Sequence, residues 1–200
     1  MPVIGITGGI ATGKSTFVTL LRELLPAATF FDADAVGREL TEANEEARAE
    51  IAATFGSDIF TAEGHLNRAA LRAIVFADAD KKRALEQILH PRIRRQWAAE
   101  AERRRQSTEL FFADIPLLYE TGGETLCDRV VVVACSPEVQ LERLMKRSAL
   151  SSGAAQQIVR AQLPLGEKIA RADHVIWNNG PRAVLAEQTG LLARLWQQPV

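Results

Sequence analysis

The sequence feature that most constrains the fold is the segment at residues 8–15, which reads GGIATGKS. It matches the pattern G-x-x-x-x-G-K-[ST], in which backbone amides and a lysine surround phosphate oxygens. A short apolar run at residues 3–7 precedes it, and apolar residues follow at helical spacing from Phe17 to Leu25. Because a phosphate-binding loop has to join a strand to a helix, this context favours a working loop over a chance match in a glycine-rich turn.

The residue types in this segment suit phosphate chemistry. Gly8 and Gly13 permit backbone conformations that other residues disfavour, so amide N–H groups can wrap phosphate oxygens at the positive end of the helix dipole. Lys14 adds a charge that can follow the β- and γ-phosphates, and the Ser15 hydroxyl suits Mg²⁺. Thr16 can reach the phosphate nearest the sugar. Nucleotide chemistry is therefore the leading hypothesis.

Composition narrows the class of protein. The chain has 200 residues, of which 47% are hydrophobic and 24% charged, as in ordinary globular domains. A net charge of −1 provides no global field for nucleic acid or an anionic membrane. No apolar run approaches the roughly 20 residues of a membrane span, and the early strand leaves no room for an export signal. We expect a cytoplasmic protein that binds neither nucleic acid nor membrane.

Four further segments have strand character and are apolar enough to be buried on both faces. They are residues 29–31, 110–115, 130–134 and 174–177. Helical stretches alternate with them, which predicts an α/β fold of three layers with a five-stranded parallel sheet. Residues 45–105 carry little strand signal and are predicted to form a helical insertion. Within it, Pro91 is expected to end one helix and begin another after His90.

Two carboxylates stand at the end of the second predicted strand. In open α/β sheets ligands bind at the carboxyl ends of strands, so Asp32 and Asp34 can orient a hydroxyl there. In a kinase, one carboxylate near the γ-phosphate can also accept the proton of the attacking alcohol. The alternative is that Asp34 only caps a helix beginning near Ala35.

Asp114 ends the third predicted strand. An apolar strand that ends in a carboxylate is typical of the acidic residue that holds Mg²⁺ in phosphate-loop enzymes, usually through water. The pattern is common and weak by itself. The segment that follows, residues 115–120, is equally compatible with plain packing.

Arg143 and Arg147 lie four residues apart in an amphipathic segment. Both can point from one helix face towards phosphates, although a solvated face has the same pattern. Given the loop at the N-terminus, arginines on a mobile lid are a reasonable source of charge for the transition state.

Cys127 and Cys135 flank an apolar run. A disulfide or a metal pair is possible, but two small buried thiols without chemistry are favoured.

Several motifs occur in a fixed order over nearly the whole chain. They are residues 5–15, Asp32-Ala33-Asp34 with Arg38-Glu39, residues 66–71, Phe76, Leu85-Glu86, His90-Pro91, residues 116–120, residues 140–144 and residues 172–178. The phosphate-binding loop alone is shared with many ATPases, GTPases and kinases, whereas this ordered set specifically resembles the dephospho-CoA kinase family.

The resemblance implies ATP-dependent phosphorylation of the ribose 3′-hydroxyl of dephospho-CoA, giving CoA and ADP with Mg²⁺ present. It implies that Asp32 lies beside that hydroxyl, that Lys14 and Arg143 neutralise charge on the transferring group, and that Asn178 lies near adenine. It also implies a lid at about residues 143–165 and a substrate-binding role for the insertion. Loop and resemblance together assign ATP binding to Gly9, Ala11, Thr12, Gly13, Lys14, Ser15, Thr16, Arg143 and Asn178. They assign the acceptor substrate to Asp32, Asp34, Arg38, His90 and Leu117, and the metal to Ser15 and, through water, Asp114.

The chain departs from the family at three places. Ala11-Thr12 stands where Gly-Ser is frequent, so Ala11 must adopt a backbone conformation that an L-residue tolerates. Asn67 and Tyr119 occupy positions that are often Asp and Phe. These departures bear on affinity more than on reaction type.

A kinase for another nucleoside or nucleotide remains an alternative, because it can use the same loop, Asp32 and arginines. A GTP-binding switch is disfavoured, because it normally reads guanine with an Asn-Lys-x-Asp element and residues 178–181 read NNGP instead. The sequence does not indicate an oligomeric state.

Overall fold

A five-stranded sheet organises the chain in the computed structural model, which describes residues 2–107 and 109–197. The strands are β1 (Val3–Gly8), β2 (Thr29–Asp32), β3 (Phe111–Asp114), β4 (Arg129–Ala134) and β5 (His174–Trp177). The α-helices are α1 (Lys14–Leu24), α2 (Ala33–Ala43), α3 (Glu45–Phe55), α4 (Arg68–Ala77), α5 (Ala79–Arg105), α6 (Pro137–Ser148), α7 (Ser152–Arg160), α8 (Leu165–Ala170) and α9 (Arg182–Gln197).

The strand order is β2-β3-β1-β4-β5, with β1 paired in parallel to both β3 and β4, and β4 to β5. The predicted α/β fold with a five-stranded parallel sheet is confirmed, and each segment of strand character overlaps a strand. From β1 the chain passes to the edge strand β2 and then to β3, which lies beside β1. It continues to β4 and β5 on the other side of β1. Such a reversal opens a crevice at the carboxyl ends of the strands, where ligands bind in α/β folds.

The contacts between residues divide the chain into two compact units. One unit contains the residues up to Phe31 and those from Glu100 onward, and the other contains Asp32–Ala99. In the first unit β1 is buried along its whole length, and α1 and α9 bury Phe17, Leu21 and Leu185 in the same core. Fully burying one such side chain contributes about 1.5–3 kcal/mol.

The second unit has a core of its own, formed by α3, α4 and part of α5. Ala47, Ile51, Ile59, Leu66, Leu71 and Ile88 are its buried residues. Asn67 caps α4 by accepting a hydrogen bond from the Ala70 amide at 3.0 Å. Because asparagine and aspartate are comparable N-caps, an aspartate at this position would make the same bond.

The prediction that Pro91 separates two helices is wrong, because α5 runs unbroken from Ala79 to Arg105. Proline disfavours a helix interior by about 3 kcal/mol because it removes an N–H and crowds the preceding turn. Here Ile88 and Trp97 are buried on either side of Pro91, so packing holds both halves in place. The Arg92 guanidinium also donates to the Ile88 carbonyl at 2.8 Å.

Both cysteines are free thiols, so the disulfide alternative does not hold. Cys135 is buried as predicted, whereas Cys127 is only half-buried. Burial raises the pKa of the Cys127 thiol to about 12, and burial also raises the pKa of Cys135 despite the nearby Arg143. Within the described residues, no group of three or more His, Cys, Asp or Glu side chains is arranged to hold a metal ion.

None of the helices in the described part of the chain is both long and apolar enough to cross a membrane.

Candidate active site

The glycine-rich loop, residues 9–13, joins the central strand β1 to helix α1 at the carboxyl end of the sheet. Lys14 is the first residue of α1, and Gly13 is its N-cap at φ 96°. Since Gly13 has no side chain to cap the helix, amides of the first turn remain available to an external acceptor. An anion at this position also gains from the helix dipole.

Side chains from outside the loop hold two of its carbonyl groups. The Ile10 carbonyl accepts from Gln140 Nε2 at 2.8 Å, and the Thr12 carbonyl accepts from Asn178 Nδ2 at 2.8 Å. Arg143 Nη1 adds a longer bond to the Thr12 carbonyl at 3.5 Å. Carbonyl oxygens repel phosphate, so engaging them with donors favours a loop that presents N–H groups to an anion.

Gly13 is required at its position for two reasons. Its φ of 96° is one that L-residues rarely adopt, and a Cβ atom there would overlap the side-chain amide of Asn178. Asn178 itself follows β5, and its backbone N–H bonds to the Ala134 carbonyl at 2.7 Å. The close approach of these residues brings the end of β5 against the loop.

Ala11 lies at φ 61°, in the left-handed region. L-residues can adopt this conformation, as the sequence required, but at a cost of roughly 1–2 kcal/mol. A glycine at this position would avoid that cost.

Lys14 forms an ion pair with Asp114, which ends β3 beside β1. Both side chains are largely buried, at 14% and 11% exposed. The pair brings together a predicted catalytic cation and the predicted metal-site carboxylate. Ser15 and Thr16, the next residues of α1, are exposed.

Arg143 and Arg147 both lie on α6, but only Arg143 reaches the loop. Arg147 is exposed, in keeping with the alternative of a solvated position. Arg143 is half-buried, and its charge lies close enough to Cys135 to oppose the rise in the pKa of that thiol.

A cavity of about 430 Å³ lies beside the loop. Its lining residues are Gly13, Thr16, Arg143, Asn178, Gly180, Arg182 and Leu185. Four of these were predicted as site residues. Gly180, Arg182 and Leu185 were missed, although the turn sequence NNGP after the last strand marks the place where they begin.

Lys168 was also missed. It lies on α8, is fully buried, and forms an ion pair with Glu120 at 2.7 Å. Its ammonium also donates to the Gly8 carbonyl at 3.3 Å, where the loop begins. The sequence signal was a lone lysine between the apolar residues Leu165 and Ile169 at helical spacing.

The second unit holds four predicted acceptor-site residues. Asp32 caps α2 by accepting from the Ala35 amide at 2.8 Å, and Asp34 is exposed in the first turn. The alternative that Asp34 is the cap is therefore wrong, because α2 begins at Ala33, two residues earlier than expected. Arg38 is exposed on the same helix.

His90 is half-buried within α5, where desolvation lowers its pKa below the ordinary value of 6.5. The nearby Glu86 carboxylate opposes this shift, and Lys82 adds to it. Leu117, the remaining predicted acceptor-site residue, belongs to the first unit and is half-buried three residues after Asp114.

Comparisons with known proteins agree over nearly the full length. The dephospho-CoA kinase family model matches residues 2–183. A dephospho-CoA kinase of Anaeromyxobacter dehalogenans is 49% identical over 98% of this chain and 92% of its own, and one of Geobacillus kaustophilus is 41% identical over 96% of each.

Solved structures of kinases also resemble this chain over nearly its full length. A dephospho-CoA kinase from Campylobacter jejuni has a TM-score of 0.70 at 26% identity, covering 97% of this chain and 96% of its own. A shikimate kinase from Acinetobacter baumannii, at 18% identity with a TM-score of 0.55, covers 100% of this chain and 96% of its own. The latter likeness extends to the fold alone.

Proposed function

The chain belongs to the dephospho-CoA kinase family, and we propose that it transfers the γ-phosphoryl group of ATP to the ribose 3′-hydroxyl of dephospho-CoA, giving CoA and ADP. This reaction is the last step of CoA biosynthesis. The observation that carries the proposal is a phosphate-binding loop, with Lys14 paired to Asp114, in a chain that matches this family over residues 2–183.

Lys14 and Arg143 would neutralise charge on the transferring group. Both come from the elements that frame the loop: Lys14 begins α1, and Arg143 contacts the Thr12 carbonyl. In phosphoryl transfer most of the acceleration comes from positioning and from charges placed where negative charge spreads over the phosphoryl oxygens. Gly9, Ala11, Thr12 and Gly13 would supply the loop backbone that receives the phosphates.

Asp32 would accept a hydrogen bond from the acceptor hydroxyl and take its proton as the phosphoryl group transfers. Its position supports this role, because it ends β2 at the carboxyl edge of the sheet. Asp34, Arg38, His90 and Leu117 would contact the rest of dephospho-CoA. The insertion at residues 45–105 would provide the substrate-binding part of the protein.

The adenosine moiety of ATP would occupy the cavity beside the loop, with Asn178 near adenine. The volume of about 430 Å³ suits a small-molecule site. Thr16 lines the cavity close to the start of α1, where it would reach the phosphate nearest the ribose.

Mg²⁺ would be held by the Ser15 hydroxyl and, through water, by the Asp114 carboxylate. These oxygen donors fit the ion, which prefers hard oxygen ligands and retains several waters. When bound, it would neutralise charge on the β- and γ-phosphates.

Residues 143–165 would form a lid. Its end is already tied to the loop, because Gln162 Oε1 accepts a hydrogen bond from the Ile10 amide at 2.8 Å. We place the enzyme in the cytoplasm with ATP and dephospho-CoA as its partners, without nucleic acid or membrane. The net charge of −1 provides no overall attraction to nucleic acid or an anionic membrane.

The test is ADP release from MgATP with dephospho-CoA or with a panel of nucleosides and nucleotides as acceptors, each product being identified by mass. We expect strong turnover only when dephospho-CoA is the acceptor. Preference for another acceptor would contradict the assignment of dephospho-CoA as the substrate. Hydrolysis of GTP without any acceptor would contradict the assignment of kinase activity.

The role of Asp32 is tested by Asp32→Asn, which keeps the cap of α2 because asparagine is an equivalent N-cap. We expect kcat to fall by about 10²–10⁴, the usual contribution of general acid–base catalysis, while ATP still binds. The exposed Asp80→Asn is the matched control. Near-normal turnover of Asp32→Asn would remove it from the catalytic role.

A further inference from the structure

The buried Lys168 ammonium lies at the centre of a polar cluster in the first unit. It pairs with Glu120 Oε1 at 2.7 Å and donates to the carbonyls of Gly8 at 3.3 Å and Pro116 at 3.4 Å. An ammonium has three N–H donors, and three acceptors surround it here. Each N–H donor of the ammonium therefore has an acceptor, and the lysine has no solvent exposure.

Stability alone is a poor explanation for this arrangement. Burying the Lys168 charge costs several kcal/mol in desolvation, and apolar replacements of buried charged groups are often as stable. The acceptors point to a different role, because Gly8 is the last residue of β1 before the loop and Pro116 lies two residues after Asp114. One ammonium thus bridges the start of the loop and the segment that follows the metal-site carboxylate.

The cluster extends to the chain between α7 and α8. Glu120 Oε1 accepts a hydrogen bond from the Leu163 amide at 3.0 Å, and the neighbouring Gln162 accepts one from the Ile10 amide at 2.8 Å. The loop is consequently held at both its start and its tip by one connected segment, residues 162–168. Loss of the central charge would loosen both attachments together.

We propose that Lys168 is a positioning residue for phosphoryl transfer. Lys168 contacts Glu120 and the carbonyls of Gly8 and Pro116. Through these contacts it fixes the loop that precedes Lys14 relative to the end of β3, where Asp114 lies. Its ammonium does not touch the nucleotide, so it acts through the geometry of these two groups. Misplacement of about 1 Å can lower a rate by about 10²-fold. This inference rests on the proposed kinase reaction.

The experiment compares Lys168→Met, Glu120→Gln and the double variant with wild type. Arg194→Met and Glu187→Gln are the control variants, since both residues are exposed on α9. Three quantities are measured: kcat with ATP and dephospho-CoA at saturation, the Kd of ADP by calorimetry, and the thermal unfolding midpoint. We expect all three cluster variants to lose kcat by about tenfold or more, with the Kd of ADP changed less than about threefold.

The double variant separates positioning from stability. It removes both charges, so we expect its unfolding midpoint to exceed that of Lys168→Met while its kcat stays low. Recovery of kcat together with the midpoint would overturn the proposal, as would wild-type kcat in Lys168→Met. If Lys168→Met does not fold, Glu120→Gln decides, and a kcat equal to that of Glu187→Gln overturns the proposal.

Wild-type protein that fails to phosphorylate dephospho-CoA would contradict the proposed function, and the inference with it. Wild-type turnover together with unaffected cluster variants would contradict the positioning role alone.

Discussion

The side-chain amide of Asn178 donates a hydrogen bond to the Thr12 carbonyl at 2.8 Å, joining residues 166 positions apart in the chain. Both side chains are buried, and the amide lies where a Cβ atom on Gly13 would be. The end of β5 therefore shapes the loop between β1 and α1.

We expect Gly13→Ala to weaken ADP binding about tenfold or more. The new methyl group would displace Asn178, and the left-handed backbone would cost a further 1–2 kcal/mol or so. Calorimetric titration with ADP measures the effect. Gly166→Ala is the control, because a Cβ atom there meets open space. Equal ADP affinity in the two variants would contradict the role assigned to the Asn178–Thr12 contact.

Ala11→Gly is expected to raise the free energy of unfolding by roughly 0.5–1 kcal/mol, because glycine adopts φ 61° without steric cost. Urea unfolding followed by circular dichroism measures this change. Ala149→Gly, at φ 49°, should shift stability in the same direction, whereas Ala52→Gly within α3 should lose about 1 kcal/mol. Destabilisation by Ala11→Gly would show that the loop conformation is not strained.

Lys14→Ala is expected to lower kcat by about 10²–10³, in line with the loss of one charge-stabilising group in an enzyme site. The thermal midpoint is recorded beside kcat, since the ion pair with Asp114 is lost as well. The exposed Lys82→Ala serves as the comparison. A folded Lys14→Ala protein with at least a third of wild-type turnover would contradict the role of Lys14.

Tyr119→Phe is expected to raise the free energy of unfolding by about 1 kcal/mol. The Tyr119 hydroxyl is buried and has no hydrogen-bond partner among the described residues, and burial raises its pKa to about 12. Removing an unsatisfied buried hydroxyl relieves its desolvation cost. The Arg171 guanidinium lies over the Tyr119 ring, 4.2 Å from the ring centroid, and phenylalanine keeps this contact. Tyr119→Leu, which loses that contact, should be less stable than Tyr119→Phe, and the reverse order in urea unfolding would refute the argument.

His90 makes stability depend on pH. Its pKa in the folded protein lies below the ordinary 6.5, so between these two values the unfolded chain binds more protons. This contribution to stability is present above about pH 6.5 and is lost as the pH falls towards the folded pKa. We expect His90→Asn to lose less stability than wild type between pH 7 and pH 5. Identical slopes in His90→Asn and wild type would contradict the effect of burial.

Local pattern was sufficient for the fold class and for part of the site. Alternating apolar and helical segments predicted each strand in the described part of the chain, and the loop motif placed Lys14 and Ser15 at the start of a helix. Asp114 was predicted from the end of its strand alone. These features depend on neighbouring residues, which a sequence displays directly.

Pro91 and Asp34 show where local pattern is insufficient. Proline ends most helices, but packing of Ile88 and Trp97 on either side outweighs that preference in α5. Two aspartates stand at the start of α2, and the first helical residue decides which of them is the cap.

The sequence by itself determined the strand–loop–helix unit, the parallel sheet and the residue types that suit phosphate. Only the tertiary structure decided that Asn178 contacts Thr12, that Lys168 is buried against Gly8 and that Arg143, rather than Arg147, reaches the loop. Each of these contacts joins residues more than 130 positions apart. Their formation depends on how the sheet assembles and which side chains it buries, and this information is distributed over the whole chain.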